Sequence, residues 1–282
     1  MPPPGRPAGT APTVRLTLSQ FCLPGLSTGE FLDVAEVSGW EGCELGVIGG
    51  QHGPEDPRAI AAAARVSGLP VESLNVLRDW ALPDDPDCGP VFDMLLGLAV
   101  ETSAPFIVCV APIRNENMPP REDVLVAASE RLAMFAELAD PAGVRLALEQ
   151  VGLSSTRIGA RSGIRTLADA LAVVEGAAPS VGLAIDSYNV ATGGNSFDEI
   201  ARIPRERIAL AHVADGIVTG SPRVLPGDGE LPLRSFVAAL AETGFDGALS
   251  VEIFPEQSPP DPLAFARRAL HALRSVLPAD VT

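Results

Sequence analysis

Lysine is absent from this sequence of 282 residues, because all 20 of its basic residues are arginine. Schiff-base catalysis on a carbonyl and pyridoxal phosphate chemistry both need a lysine amine, so both are excluded. The richness in Arg, Ala, Gly and Pro is also what a GC-rich genome produces, so mutational bias is a sufficient origin for the absence. Its chemical consequence is the same in either case.

Positive charge is scarce in general, since 36 acidic residues stand against 20 basic ones and the net charge is −16 at pH 7. A protein that binds nucleic acid or an anionic membrane needs a basic footprint, so neither partner is expected. An acidic surface mainly keeps a protein soluble. We therefore expect a cytoplasmic protein that acts on a small molecule.

Cysteines and long apolar runs are also few. The four cysteines contain no CxxC pair, which predicts reduced thiols rather than disulfides or a zinc knuckle. No apolar stretch reaches the roughly 18 residues that a membrane span needs. Residues 1–12 are rich in Pro and Gly and lack the apolar core of a signal peptide, so they are predicted to form a disordered tail before one domain at 13–282.

The rest of the chain alternates between apolar strand patterns and helical patterns. Strands are predicted at 14–19, 43–48, 70–76, 106–110 and 144–149, followed by three that end at Asp186, His212 and Glu252. Helices are predicted at 28–38, 56–67, 92–102, 122–138, 167–175, 197–203, 233–242 and 262–277. Loops are predicted at 79–87 and 112–120.

Eight strand–helix units indicate a single-domain α/β protein, a (β/α)8 TIM barrel. A doubly wound sheet also satisfies the alternation. However, no G-x-G-x-x-G follows an early strand and no Walker pattern occurs, so the nucleotide-binding sheets lose support.

Four apolar runs in the second half each end in a residue that can bind a metal ion. These residues, which we call the rim cluster, are Glu149, Asp186, His212 and Glu252. They follow one another at intervals of 37, 26 and 40 residues, so successive strands would each deliver one ligand to the same rim of a barrel. Any one of the carboxylates alone is better interpreted as a loop-capping group, and His212 alone is compatible with a core histidine, but the four together favour a metal site.

The rim cluster is rich in oxygen ligands, which favours Mn²⁺ or Mg²⁺ and leaves Co²⁺ and Zn²⁺ open. Such an ion polarises a carbonyl, and two carboxylates on opposite sides of it can move a proton at the adjacent carbon. The set is therefore sufficient for enediolate chemistry without lysine.

The order Glu, Asp, His, Glu on the last four strands resembles the sugar phosphate isomerase/epimerase group of xylose-isomerase-like barrels. The similar motifs are the Glu149 context, His212-Val213-Ala214-Asp215, Pro226-Gly227-Asp228-Gly229 and Val251-Glu252. The resemblance covers about residues 14–277. It implies that the rim cluster binds one divalent ion and that Glu149 and Glu252 exchange the substrate proton. It is also compatible with a homodimer or a homotetramer.

One departure from the family pattern stands after the sixth strand. The family commonly has Asp-x-x-His there, whereas this chain has Asp186-Ser187-Tyr188-Asn189. The change indicates either a different substrate or weakened catalysis. Asn189 remains a candidate substrate-binding residue together with three others near strand ends or in the following loop, namely Arg223, Asn75 and Gln150.

These features favour a divalent-metal-dependent isomerase or epimerase that acts on a small polyhydroxy carbonyl compound. One alternative is a dehydratase of an inosose or a dehydroshikimate-like hydroxy-ketone, which begins with the same proton abstraction. The other is a catalytically weak sugar-binding barrel, which the replacement at Asn189 motivates. Endonuclease-like relatives need many histidines and a basic surface, and this chain has three histidines and a net charge of −16.

Overall fold

The protein is described from a computed structural model, which covers residues 14–47, 55–82, 87–114, 117–152, 161–218 and 222–278. The strands are β1 (Arg15–Ser19), β2 (Gly42–Gly46), β3 (Val71–Leu77), β4 (Phe106–Val110), β5 (Ile113–Arg114), β6 (Arg145–Glu149), β7 (Arg161–Ser162), β8 (Gly182–Asp186), β9 (Ile208–Val213) and β10 (Ala248–Val251). The α-helices are α1 (Thr28–Ser38), α2 (Pro57–Val66), α3 (Gly89–Thr102), α4 (Arg121–Ala139), α5 (Leu167–Gly176), α6 (Ser187–Thr192), α7 (Leu233–Glu242) and α8 (Pro262–Val276). Four 3₁₀ turns complete the described elements, at Gln20–Cys22, Asp140–Ala142, Phe197–Arg202 and Arg205–Arg207.

A closed barrel forms from the parallel strands in the order β1-β10-β9-β8-β6-β4-β3-β2. Strand β1 closes it, because Leu16 lies opposite Leu249 of β10 and Leu18 lies opposite Cys43 of β2. The carboxyl ends of all eight strands therefore meet at one rim. The predicted (β/α)8 barrel is confirmed.

Local sequence signals set the ends of helix α1 as predicted. Ser27 accepts a hydrogen bond from the Glu30 backbone, and the Glu30 carboxylate accepts one from the Ser27 N–H, which completes a capping box. Gly39 ends the helix with φ of 87°, a left-handed conformation that a residue with a Cβ adopts at a cost.

Several elements differ from the predictions. The loop predicted at 112–120 contains strand β5, which pairs antiparallel with β7. Helix α6 starts directly after β8, where no helix was predicted, and the segment predicted as a helix at 197–203 is a 3₁₀ turn. The side chain of Asp186 explains α6, because it accepts the Asn189 N–H and caps the helix start.

Several predictions fall on residues outside the described ranges. They are the disordered tail at 1–12, the end of the second strand at 48, and part of the loop at 79–87.

Buried side chains of two kinds lie on the barrel strands. A small apolar cluster, separate from the main core, contains Val108, Ala147, Ala184, Ala209, Leu210 and Ala248. Besides the rim cluster, buried polar side chains on β1, β2, β3 and β10 include Thr17, Ser19, Glu44, Ser73, Asn75 and Ser250.

The described cysteines are all buried and form no disulfide, in agreement with reduced thiols. Burial raises the pKa of the Cys22 thiol to about 12, which makes it a poor nucleophile at neutral pH. Among the described helices, none combines the length and the apolar character required to cross a membrane.

Candidate metal centre

The rim cluster forms one group of side chains at the carboxyl end of the barrel. Glu149 and Asp186 are the last residues of β6 and β8, His212 lies near the end of β9, and Glu252 directly follows β10. Each residue is at most 4% exposed, and one ligand atom from each lies within 4.8 Å of the others. The four predicted ligands are therefore brought together, whereas the binding of an ion stays a prediction.

Two atoms of the rim cluster are buried without a hydrogen bond in the described part of the chain. His212 Nδ1 lies 3.5 Å from Glu252 Oε2 and 3.8 Å from Glu149 Oε2, but it bonds to neither. Asp186 Oδ2 also accepts no hydrogen bond. Buried polar atoms are nearly always hydrogen-bonded, so the unbonded His212 Nδ1 among converging carboxylates fits a divalent cation, and Asp186 Oδ2, whose nearby charge is Arg223 at 3.1 Å, is a further possible ligand.

Arg223 is the main cation beside the rim cluster. Its Nη1 atom lies 2.9 Å from Glu252 Oε2 and 3.1 Å from Asp186 Oδ2. Its guanidinium also lies over two rings, 5.5 Å from the centroid of Tyr188 and 4.9 Å from that of Phe254. Burial by itself lowers the pKa of Arg223, but the carboxylates of Asp186, Glu252 and Glu149 outweigh it and raise the pKa.

The two glutamates of the rim cluster have pKa values that are shifted in opposite directions by their surroundings. Burial, reinforced by the charge of Glu149, raises the pKa of Glu252 to about 7. Burial by itself raises the pKa of Glu149, but the nearby His212 ring and the charge of Arg223 outweigh burial and leave this pKa below its usual value. Paired carboxyl groups with diverging pKa values are typical of a base and an acid that act together.

The pKa values of the other two members of the rim cluster, Asp186 and His212, are both raised. Burial is the main cause that raises the pKa of Asp186. Burial would lower the pKa of His212, but the charges of Glu252 and Glu44 outweigh it and raise the pKa well above the ordinary value. The cluster without an ion therefore retains protons that a cation would displace.

The predicted substrate-binding residues Asn189 and Asn75 contact the rim cluster directly. The Asn189 amide donates to Glu149 Oε1 at 2.8 Å, and its oxygen accepts the Gly152 N–H at 3.3 Å. The Asn75 amide donates to Glu252 Oε1 at 3.3 Å. Both side chains thus orient a glutamate of the cluster, and their contact with substrate remains a prediction.

Gln150, the remaining predicted substrate-binding residue, follows Glu149 but forms no such contact. Its side chain is fully buried, and neither its amide nitrogen nor its oxygen has a hydrogen-bond partner among the described residues. Its predicted role in substrate binding stays a prediction.

Glu44 is the residue that sequence reasoning missed. It is fully buried in β2 and lies 3.1 Å from His212 Nε2 through its Oε2 atom. One feature of the sequence could have indicated it, namely a carboxylate inside an otherwise apolar strand. A charge that is buried in this way requires a partner.

The loop that carries Arg223 is organised by Asp215. The Asp215 carboxylate accepts the backbone N–H groups of Gly216, Gly227 and Leu231 at 2.8 to 2.9 Å. A Cβ on Gly229 would lie 2.3 Å from Asp215 Oδ1, so this glycine permits a close approach. The glycines of the Pro226-Gly227-Asp228-Gly229 motif therefore build the loop.

Curated relatives are similar over part of the chain. The inosose isomerase of Bacillus velezensis is 29% identical over 154 residues, which are 52% of this chain and 53% of that protein. The 3-dehydroshikimate dehydratase of Pseudomonas putida is 29% identical over 107 residues, 35% of this chain and 16% of that protein. The chain thus spans about half the length of the inosose isomerases it matches.

Solved structures share the fold over nearly the whole chain. The structure of IOLI protein with a zinc atom has a TM-score of 0.78 at 20% identity, and the match covers 95% of this chain and 98% of that one. At this identity the likeness concerns the fold. The family model described as "Xylose isomerase-like TIM barrel" matches residues 32–276. The chain therefore belongs to the xylose isomerase-like TIM barrel family.

Proposed function

We propose that this chain is a divalent-metal-dependent isomerase or epimerase of small polyhydroxy carbonyl compounds. The observation that carries the proposal is the rim cluster, whose four ligand atoms lie within 4.8 Å of one another in a buried site at the carboxyl rim. Catalytic residues of TIM barrels occupy this rim. The similarity to inosose isomerases supports the same reaction class.

The donor set favours Mn²⁺ or Mg²⁺, because three of the four residues are carboxylates, and Co²⁺ and Zn²⁺ are also accepted by such a set. The zinc atom in the structural relative supports a divalent ion in this fold. When bound, such an ion would polarise the substrate carbonyl and stabilise the negative charge of an enediolate.

The two glutamates would move the proton. Glu149 is the base, because its lowered pKa keeps it ionised at neutral pH. It takes a proton from the carbon next to the carbonyl, and the C–H electron pair forms the enediolate. Glu252 would deliver a proton to the carbon skeleton, and exchange with solvent would then remove the proton that Glu149 took and restore the one that Glu252 gave. Delivery to the neighbouring carbon, with the hydroxyl proton of the enediolate moving from one oxygen to the other, gives an isomerase, and delivery to the opposite face of the same carbon gives an epimerase.

Arg223 and Asn189 would assist from two sides. The Arg223 guanidinium lies among the carboxylates and can donate to a substrate oxygen as the negative charge develops. Asn189 holds Glu149 Oε1 at 2.8 Å, which directs the other carboxylate oxygen of the base. Asparagine cannot carry the positive charge that histidine can at this position, so we expect a substrate that differs from those of relatives with Asp-x-x-His.

Deuterium wash-in tests the proposal directly. Protein loaded with Mn²⁺ is incubated in D₂O with a panel of inososes and ketoses, and each sugar is examined by mass spectrometry and NMR. We expect deuterium at the carbon next to the carbonyl for at least one compound, with conversion to an isomer or epimer. Saturable sugar binding with no exchange for any compound would overturn the proposal in favour of a sugar-binding barrel.

The variant Glu149→Gln supplies the control for the base. It should abolish wash-in while the circular dichroism spectrum and the melting temperature stay close to those of the wild type. A positioned base contributes about 10²- to 10⁴-fold, so a loss of that size is expected. Retained exchange would place the base elsewhere.

A dehydratase is the second candidate, and the similarity to the dehydratase of Pseudomonas putida favours it. It would share the proton abstraction by Glu149, after which the enediolate expels a β-hydroxyl group as water. The same incubations distinguish the two reactions, because dehydration yields a product that has lost one water and absorbs as a conjugated ketone.

A further inference from the structure

A fourth buried acid, Glu44, lies beside the three carboxylates of the rim cluster and is not one of the four ligands. Glu44 is fully buried on β2, where a carboxylate must find partners to offset the loss of hydration. Its two partners among the described residues are the ring of His212 and the amide of Asn75. His212 is itself a member of the rim cluster, and Asn75 also contacts the cluster through Glu252.

The contact with Glu44 orients the imidazole of His212. Its Nε2 atom lies 3.1 Å from Glu44 Oε2 and 3.3 Å from Glu44 Oε1. The other ring nitrogen, Nδ1, points towards Glu149 and Glu252 and forms no hydrogen bond in the described part of the chain. A carboxylate can only accept at this contact, so the Nε2 atom carries a proton and Nδ1 is left to present a lone pair to a cation.

Asn75 extends this arrangement to the opposite side of the cluster. Its amide nitrogen lies 3.4 Å from Glu44 Oε2 and 3.3 Å from Glu252 Oε1. Its amide oxygen accepts the Ser73 hydroxyl at 2.8 Å, and this bond makes the NH₂ group face the two carboxylates. A single network on β2 and β3 therefore holds ligands that come from β9 and from the end of β10.

We propose that Glu44 is a positioning residue of the metal centre. Its carboxylate fixes His212 in the tautomer whose Nδ1 atom faces the other ligands, and Asn75 couples the same carboxylate to Glu252. This inference rests on the proposed function, since it requires that the rim cluster binds a divalent ion. We also propose that Asn75 holds the ligands in place, because its amide nitrogen donates to two carboxylates, those of Glu44 and Glu252.

The first test measures metal affinity without turnover. The metal-free wild type and Glu44→Gln are titrated with Mn²⁺ by isothermal calorimetry. Removal of a carboxylate that orients a metal-binding histidine typically weakens affinity by about 10- to 100-fold, and we expect a loss in this range. An unchanged dissociation constant in Glu44→Gln would overturn the positioning role. A wild type that binds no Mn²⁺ would instead overturn the proposed function.

Glu72→Gln is the matched control. Glu72 is also a buried acid, 4% exposed, on the neighbouring strand β3, but it pairs with Arg15 at 2.7 and 2.8 Å. This variant removes a buried carboxylate of the barrel outside the network of Glu44. We expect it to bind Mn²⁺ as the wild type does. An equal loss of affinity in both variants would mean that barrel stability, and not orientation of His212, controls binding.

The second test needs no variant, so it decides even if Glu44→Gln fails to fold. Protein labelled with ¹⁵N-histidine is loaded with diamagnetic Zn²⁺, and two-bond ¹⁵N–¹H correlations identify the protonated ring nitrogen. We expect His212 to carry its proton on Nε2, with Nδ1 shifted by the ion. A proton on Nδ1 with Nε2 bound to zinc would overturn the inference.

Discussion

Arg223 donates a hydrogen bond to Glu252, with its Nη1 atom 2.9 Å from Oε2, and so places a fixed positive charge among the acids of the rim cluster. The Arg223 side chain is 9% exposed, and its guanidinium lies over the rings of Tyr188 and Phe254. Part of the negative charge that attracts a metal ion is thus balanced before any ion arrives.

Replacement of Arg223 should make the stability of the protein more dependent on a bound metal ion. In Arg223→Met the carboxylates lose their buried counter-charge, and we expect the metal-free protein to lose on the order of 3 kcal/mol of unfolding free energy. Added Mn²⁺ should then raise the melting temperature more than it does in the wild type. Arg268→Met is the control, because Arg268 is exposed and, within the described part of the chain, forms an ion pair only with Asp228. Equal metal-induced shifts in all three proteins would contradict the prediction.

The pKa of Glu252 predicts a pH dependence of stability. Since burial raises the pKa to about 7 in the folded protein, the native state holds a proton that the unfolded chain has already lost. Stability from this group is therefore present at low pH and is lost as the pH rises towards 7. Chemical denaturation of the metal-free protein between pH 5 and 7.5 should show the wild type falling relative to Glu252→Gln.

The same protons oppose metal binding. An ion must displace the protons held by Glu252 and His212, so the affinity for Mn²⁺ should rise with pH across this window. Calorimetry in buffers of different ionisation enthalpy should show proton release on binding. Binding without proton release near pH 6 would contradict the conclusion that Glu252 and His212 hold protons in the metal-free protein.

Asn189 should matter for turnover more than for binding. In Asn189→Ala, Glu149 Oε1 loses its donor at 2.8 Å, and a hydrogen bond to a charged group contributes about 1.5–3 kcal/mol. We expect kcat to fall by roughly 10- to 100-fold with little change in KM. Asn195→Ala is the control, because Asn195 accepts the Leu167 N–H and donates to Glu199 away from the rim cluster. It should lower the melting temperature and leave kcat unchanged.

The loop around Asp215 should tolerate little change. Gly229→Ala would place a Cβ 2.3 Å from Asp215 Oδ1 and 2.4 Å from the Gly216 nitrogen, so the loop that carries Arg223 must shift. We expect a fall in melting temperature and weaker substrate binding. Gly97→Ala is the control, since this helical glycine has open space around it. It should stabilise α3 by about 0.5–1 kcal/mol.

Much of the fold could be predicted because local signals agree with the tertiary structure. Strand β4 and helices α1 and α7 have the predicted bounds, since each has a clear apolar pattern and distinct ends. Strands β5 and β7 have two residues each and exist through pairing between Ile113 and Ser162, which no local pattern encodes. Helix α6 depends on a cap from Asp186, which had been interpreted only as a ligand.

The candidate site also contains residues that could be predicted from the sequence and one that could not. The members of the rim cluster could be predicted because each ends a strand, and parallel strands of a barrel end together. Glu44 could not be assigned, because a charge inside a strand reveals burial but not its partner. Its partner, His212, lies 168 positions away in the sequence.

That separation sets the order in which the centre can form during folding. All four ligands lie in the second half of the chain, whereas Glu44 and Asn75 come from β2 and β3, and β1 joins these strands to β10. The geometry of the ligands is therefore complete only after the first and last strands have met, a contact of long range that forms slowly. A divalent ion would then act mainly on the closed barrel, and it would slow unfolding more than it speeds folding.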